Sequence, residues 1–245
     1  MSYRSRRSSY YGGWAPYVSV AEKRASAEAA VKRAAKKGII YHPIQLSGRT
    51  IATSWWGKSW CDNLERYADF ANRLPRGRSY VRNGSVIDLN ISSRQVDALV
   101  QGSSLYKVKV TFDPMNAGKE KELAKACSKQ IQNVEELISG EFPRALQERF
   151  LERGSLFPTP KEIHFSCSCP DWASMCKHVA AVMYGIGARL DHEPMKFFEL
   201  RGIDMQAFVT RAVENKVDDM LKNAKSKKSK RILSDDDIEG LFGIL

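Results

Sequence analysis

The chain has 245 residues, 43% hydrophobic and 27% charged, with a formal net charge of +11. That suffices to bury a core in one large or two small domains, and no run of about 18 apolar residues occurs, so a membrane-spanning helix is not expected. Five cysteines, an odd number, and no visible secretory signal point to a reducing cytoplasm rather than a disulfide framework.

The charge is unevenly placed. Residues 1–38 hold nine basic and two acidic residues, net +7, and residues 222–231 hold six basic residues and no acid. Residues 232–245 are net −4, and the long stretch 39–221 is nearly neutral at +2. Basic extensions of this kind contact nucleic-acid phosphates, or are simply solvated, or meet an acidic protein.

Residues 1–13 are rich in Ser, Tyr, Arg and Gly and are expected to be disordered in isolation. Arg4, Arg6 and Arg7, beside Tyr3, Tyr10 and Tyr11, are candidate phosphate and base contacts. Ser19 with Glu22 three residues on forms a capping box that predicts a helix over Ala21–Lys37, stopped by Gly38. That helix has few large apolar residues, so it is expected either to float in solvent or to lie along an anionic surface. Lys23, Arg24, Lys32, Arg33, Lys36 and Lys37 supply its positive charge.

Trp56, Trp60, Leu64, Tyr67 and Phe70 recur at helical spacing and predict a core-facing helix, with an exposed stacking surface as the alternative. From Arg78 to Phe112 the period becomes two. Asn83-Gly84 is a hairpin signal. A strand from Arg78 to that turn, then Ile87, Leu89 and Ile91, then Val96, Ala98 and Val100 as a third strand, and Tyr106, Val108, Val110 and Phe112 as a fourth, read as an antiparallel meander with one buried face. Arg78, Arg82, Lys107 and Lys109 are placed on its solvent face. Arg76, Arg78 and Arg82 join the candidate nucleic-acid contacts. Helices are predicted over Lys119–Ile138 and Phe142–Arg153, with Cys127, like Cys61, a small buried hydrophobe.

The most specific pattern follows. Cys167, Cys169, Cys176 and His178 stand as C-x-C, six residues, then C-x-H. Three thiolates and an imidazole match the donor count and softness of a closed structural zinc site. Ile163–Ser166 reads as a short strand, which turns Cys167 and Cys169 to one side. Val179–Ile186 is apolar and helical, so Cys176 must precede or cap that helix, with His178 in its first turn. A single zinc would then clamp a hairpin end to a helix N-terminus.

Met195–Phe198 and Met205–Val217 are predicted helices, Asn223–Arg231 a charged linker. In the tail, Ser234 can cap a short helix whose Ile238, Leu241, Phe242 and Leu245 form one apolar stripe. The stripe is expected to dock on a partner or to fold back on the body. No phosphate-binding loop, dinucleotide fingerprint or nucleophile elbow is present, so an enzyme is not expected. His42 is expected in a loop, and His164 and His192, which flank the finger, at the surface or supporting the ligands, with a reserve-ligand role as the alternative.

The cysteine–histidine pattern resembles the SWIM zinc finger, whose signature is C-x-C, a variable gap, then C-x-H. Thr53–Cys61 (T-S-W-W-G-K-S-W-C), Leu74–Tyr80 (L-P-R-G-R-S-Y) and Leu241–Leu245 resemble segments of small bacterial SWIM-finger proteins. The resemblance implies binding to DNA or protein and association with a Swi/Snf-type helicase ATPase.

The expected fold is α+β: an antiparallel meander with flanking helices plus a zinc-stabilised finger. The expected organisation is a basic N-terminal extension with a helix over 1–38, an α+β domain over 39–155, the finger and its packing helices over 156–221, and a linker with an acidic tail over 222–245. The expected role is a zinc-binding, non-catalytic nucleic-acid-binding adaptor, with a pure protein scaffold as the alternative.

Overall fold

A computed structural model describes residues 18–66, 72–130, 142–152 and 154–226. Among these residues the fold is α+β, with eight α-helices and a four-stranded antiparallel sheet in the order β1-β2-β3-β4. The strands are β1 (Val86–Ser92), β2 (Gln95–Gln101), β3 (Leu105–Phe112) and β4 (Ile163–Cys167). The first three form the last three strands of the expected four-stranded meander. The fourth is the strand that leads into the finger, and it pairs with β3 rather than forming a hairpin of its own.

The helices are α1 (Val20–Ala35), α2 (Trp55–Glu65), α3 (Leu74–Arg82), α4 (Ala117–Gln130), α5 (Arg144–Leu151), α6 (Lys177–Leu190), α7 (Lys196–Leu200) and α8 (Met205–Ser226). α6 is the hub. It is apolar on all sides, as a fully buried helix must be, and His178 through Ala188 are buried without a break. One side of it meets the inner face of the sheet, where Leu89, Val96, Ala98, Val100, Val108 and Val110 point. α2 and α3 pack on its other flank.

Those two helices approach α6 closely because glycines face it. A Cβ on Gly77 of α3 would stand 2.5 Å from Ala180 Cβ and 2.7 Å from the Ala180 carbonyl carbon. A Cβ on Gly57 of α2 would stand 2.5 Å from the Gly187 carbonyl oxygen. Trp60 Nε1 donates to the Met183 carbonyl at 2.7 Å, fixing the α2–α6 register. Trp56 and Trp60 are buried among Phe112, Phe142, Phe150, Phe197 and Phe198, so these tryptophans pack the core.

The structure revises four expectations. Residues from Arg78 to Arg82 are helix, not strand: Asn83 is the C-cap of α3, and Gly84 follows at φ 68°. A helix end and a hairpin turn both use a residue tolerant of positive φ, so Asn-Gly serves either. Arg78 and Arg82 therefore do not lie on the sheet.

Ile87 does not share a face with Leu89. The β1–β2 register shifts between Val86 and Asp88, and the bulge turns Ile87 to the opposite face. There it meets α1, whose Ala27, Ala30 and neighbouring Val31 pack with Ile87, Tyr41 and Leu99. The third revision follows: α1 is docked on the sheet, not floating. Its alanines let the helix backbone sit close, while its capping box forms as expected, with Glu22 N–H donating to Ser19 Oγ at 3.2 Å.

Finally, α8 runs through Asn223–Ser226, the start of the stretch read as a linker. Tyr67, Phe70, residues 1–13 and the tail from Ile232 to Leu245 lie outside the described residues.

Candidate metal centre

The site forms where β4 ends and α6 begins. Along β4, Ile163, Phe165 and Cys167 face inward while His164 and Ser166 face out, the alternation the strand reading requires. Cys167 lies opposite Val108. Ser168 extends the pairing: its N–H donates to the Lys107 carbonyl, and its hydroxyl accepts from Lys107 N–H, both at 3.0 Å. Cys169 thereby returns to the same side. The chain then leaves the sheet at Pro170, and Met175 plugs into the core before the helix starts.

Cys176 is the N-cap of α6. Its backbone is extended (φ −78°, ψ 172°), and its sulfur accepts from Val179 N–H at 3.5 Å. His178 follows inside the first turn, as expected. Its Nδ1 stands 3.8 Å from Cys176 Sγ and 3.9 Å from Cys167 Sγ. The donor atoms of Cys167, Cys169, Cys176 and His178 all lie within 4.8 Å of one another. In a tetrahedral site with metal–sulfur bonds of about 2.3 Å and metal–nitrogen bonds of about 2.0 Å, donors stand roughly 3.5–3.8 Å apart. The four residues therefore fit one metal ion with little adjustment.

The histidine is held as a ligand would be. It is 2% exposed. Tyr106 stacks on its ring with centroids 4.3 Å apart, and Tyr80 meets it edge-on at 5.4 Å. Nε2, on the side away from the sulfurs, is buried without a hydrogen-bond partner. A Cβ on Gly102 would stand 2.9 Å from that nitrogen, so only glycine leaves the ring its place. Ligation of a metal through Nδ1 would leave the ring proton on Nε2.

The thiols are poised unequally. Cys176 is pulled down to about 3, chiefly by the hydrogen bond it shares with Cys167 and further by His178 and the Val179 N–H, against burial. Cys167 is pushed up, first by that shared bond and then by burial. Cys176, at the helix N-terminus, is the thiol favoured as a thiolate. Cys61 and Cys127 are each pushed up to about 12 by burial, which makes them inert packing groups, as expected.

The other sequence candidates scatter. His164 Nε2 lies 3.1 Å from Asp113 Oδ1 at the surface, and His42 and His192 are exposed. None joins the cluster. Arg24, Lys32 and Arg33 on α1, and Lys36 and Lys37 in the turn just after it, are exposed, while Lys23 reaches inward until its Nζ lies 5.7 Å over the Tyr80 ring. Arg76 is exposed on α3. Arg78 instead binds Glu65 at 2.8 Å, and Arg82 Nε donates to the Arg49 carbonyl at 2.8 Å. Arg4, Arg6, Arg7, Ile238, Leu241, Phe242 and Leu245 lie outside the described residues.

Sequence reasoning missed two features. Tyr80 and Tyr106, from different elements, close round His178. Trp172, in the loop between Cys169 and Cys176, is 99% exposed, unlike Trp56 and Trp60. The Pro-Asp step before it, and its place between ligands that anchor both loop ends, are the local signals.

Among known proteins, the uncharacterized protein Rv2102 of Mycobacterium tuberculosis is 36% identical to this chain over 156 residues. The match takes in 62% of this chain and 56% of the relative, so the chain spans little more than half of that protein's length. No family model matches the chain, and no solved structure matches it.

Proposed function

We propose that this is a SWIM-type zinc-finger protein, a non-catalytic nucleic-acid-binding adaptor that acts beside a Swi/Snf-type helicase ATPase. The observation that carries the reading is where the donor set lies. Four soft donors converge at the N-terminus of α6, the helix on which α2, α3 and the sheet all pack. Zinc bound there supplies a crosslink between β4 and α6, with four protein donors and no position left for a reacting water. The consequence would be shape: the finger is held against α3 and β3, with Lys23 of α1 reaching over Tyr80 of α3.

The helicase association rests on resemblance, and the nucleic-acid role on the charge of α1 and α3. Metal analysis of the purified chain, together with a DNA and RNA mobility-shift titration at several salt concentrations, tests both halves. One zinc per chain and salt-dependent binding are expected. Absence of stoichiometric metal would remove the finger, and absence of binding at low salt would remove the nucleic-acid role.

One observation favours the scaffold reading. Val213, Val217, Met220 and Leu221 of α8 are exposed and recur at i, i+4, i+7 and i+8, an apolar stripe that a protein partner would cover. A pull-down of the ATPase that survives nuclease treatment, from a chain that binds no nucleic acid, would decide for it.

A further inference from the structure

We propose that Trp172 is the base-stacking end of a single-stranded nucleic-acid track that runs from the finger loop along α3 to α1; this rests on the nucleic-acid reading above. A tryptophan left 99% exposed is anomalous in a chain whose Trp56 and Trp60 are almost wholly buried. Its loop is firmly seated. Cys169 and Cys176 belong to the donor cluster on either side, Met175 is buried, and Asp171 Oδ1 accepts from Ala173 N–H at 3.2 Å and from Arg73 Nη2 at 3.3 Å. The indole is therefore an aromatic face offered to solvent from a loop anchored on both sides.

What lies beside it is basic and aromatic. Arg73 ties the loop to the start of α3. Arg73, Arg76 and Tyr80 recur at i, i+3 and i+7, which puts them on one stripe of that helix. The stripe spans about 10 Å. At its far end Lys23 of α1 lies over the Tyr80 ring. Arg73, Arg76, Tyr80 and Lys23 thus lead along α3 to α1 from Asp171, which neighbours Trp172 and pairs its carboxylate with Arg73.

An aromatic face at one end of a line of cations matches single-stranded nucleic acid, whose unpaired bases stack while its phosphates follow the charge. A duplex hides its base faces, so Trp172 has nothing to stack on there. Pro170 and Ser174, two residues to either side of Trp172, are exposed, so the indole stands clear of its own loop.

The test uses the full zinc-loaded chain and a labelled oligothymidylate of about 12 nucleotides, against a duplex of equal length. Trp172→Ala should weaken single-strand binding about tenfold or more, leave the salt slope unchanged, and leave duplex binding alone. Trp172→Phe should recover most of the loss. Arg76→Gln should instead lower the salt slope. Zinc content and melting temperature of each variant show that it is folded. Quenching of tryptophan emission by the oligonucleotide, smaller in Trp172→Ala than in wild type at saturating oligonucleotide, reports the same stacking without relying on affinity. Equal single-strand affinity of wild type and Trp172→Ala would overturn the stacking track and leave the nucleic-acid reading intact. Failure of wild type to bind single strand, duplex or RNA at low salt would overturn both and assign Trp172 to a protein partner.

Discussion

Asp191 holds Ser54. The carboxylate at the C-terminal end of α6 accepts from the Ser54 hydroxyl at 2.6 Å and from its backbone N–H at 3.1 Å, and also from the N–H and hydroxyl of Thr53. Ser54 is itself the N-cap of α2. α6 is thus fastened at both ends, by the donor cluster at its N-terminus and by this clamp at its C-terminus. An anion at the start of α2 also faces the positive end of that helix.

The clamp predicts a pH signature. Burial alone would raise the Asp191 carboxyl, but the Ser54 and Thr53 hydrogen bonds outweigh it and hold it below the usual range. Its contribution is therefore full above the unfolded value near about 4 and is lost as pH falls through the lower folded value. Asp191→Asn should flatten stability against pH in that acidic window. Asp191→Ala should cost about 1–3 kcal/mol at neutral pH. Urea melts of both variants across pH check this.

Cys176→Ser separates capping from metal binding. Serine is a good N-cap, so the hydrogen bond to Val179 survives the change. Metal content should nonetheless fall to near zero, and the melting temperature should drop to that of chelator-treated wild type. Elemental analysis gives the first result and calorimetry the second. Cobalt-loaded wild type should show thiolate charge-transfer absorption that the variant lacks.

Gly77→Ala tests the close approach of α3 to α6. The new methyl would collide with Ala180, whose backbone cannot yield, so about 1–3 kcal/mol of destabilisation is expected. Gly48→Ala is the control. Nothing lies within 4 Å of its added carbon, and its stability should stay within about 0.5 kcal/mol of wild type.

The docking of α1 on the sheet changes how the basic extension must be probed. Removing residues 1–38 would strip Ala27 and Ala30 from Ile87 and confound charge with folding. Two variants avoid this: deletion of 1–17, which removes Arg4, Arg6 and Arg7, and the exposed set Lys32→Gln, Arg33→Gln, Lys36→Gln and Lys37→Gln at the C-terminal end of α1. Each should weaken nucleic-acid binding and lower its salt slope, by roughly one unit for every phosphate no longer neutralised. The melting temperature should hold. Binding curves at several salt concentrations read the outcome.

The donor set, the strand leading into it, the cap at Ser19 and the meander from β1 to β3 were all legible along the chain. Each depends on interactions within a few residues: side-chain alternation, a cap reaching three residues on, two ligands on one side of a strand. What surrounds those elements was not. Asn83-Gly84 closes a helix here because Gly77 can touch Ala180, a residue far along the chain. Ile87 left its expected face because α1 supplies an apolar surface on the other side of the sheet. Tyr80 and Tyr106 reach His178 from separate elements, and Trp172 is exposed because the fold leaves it uncovered. Local chemistry sets what a segment can form. Which faces are buried, and which side chains meet at the site, is settled only when distant segments pack together.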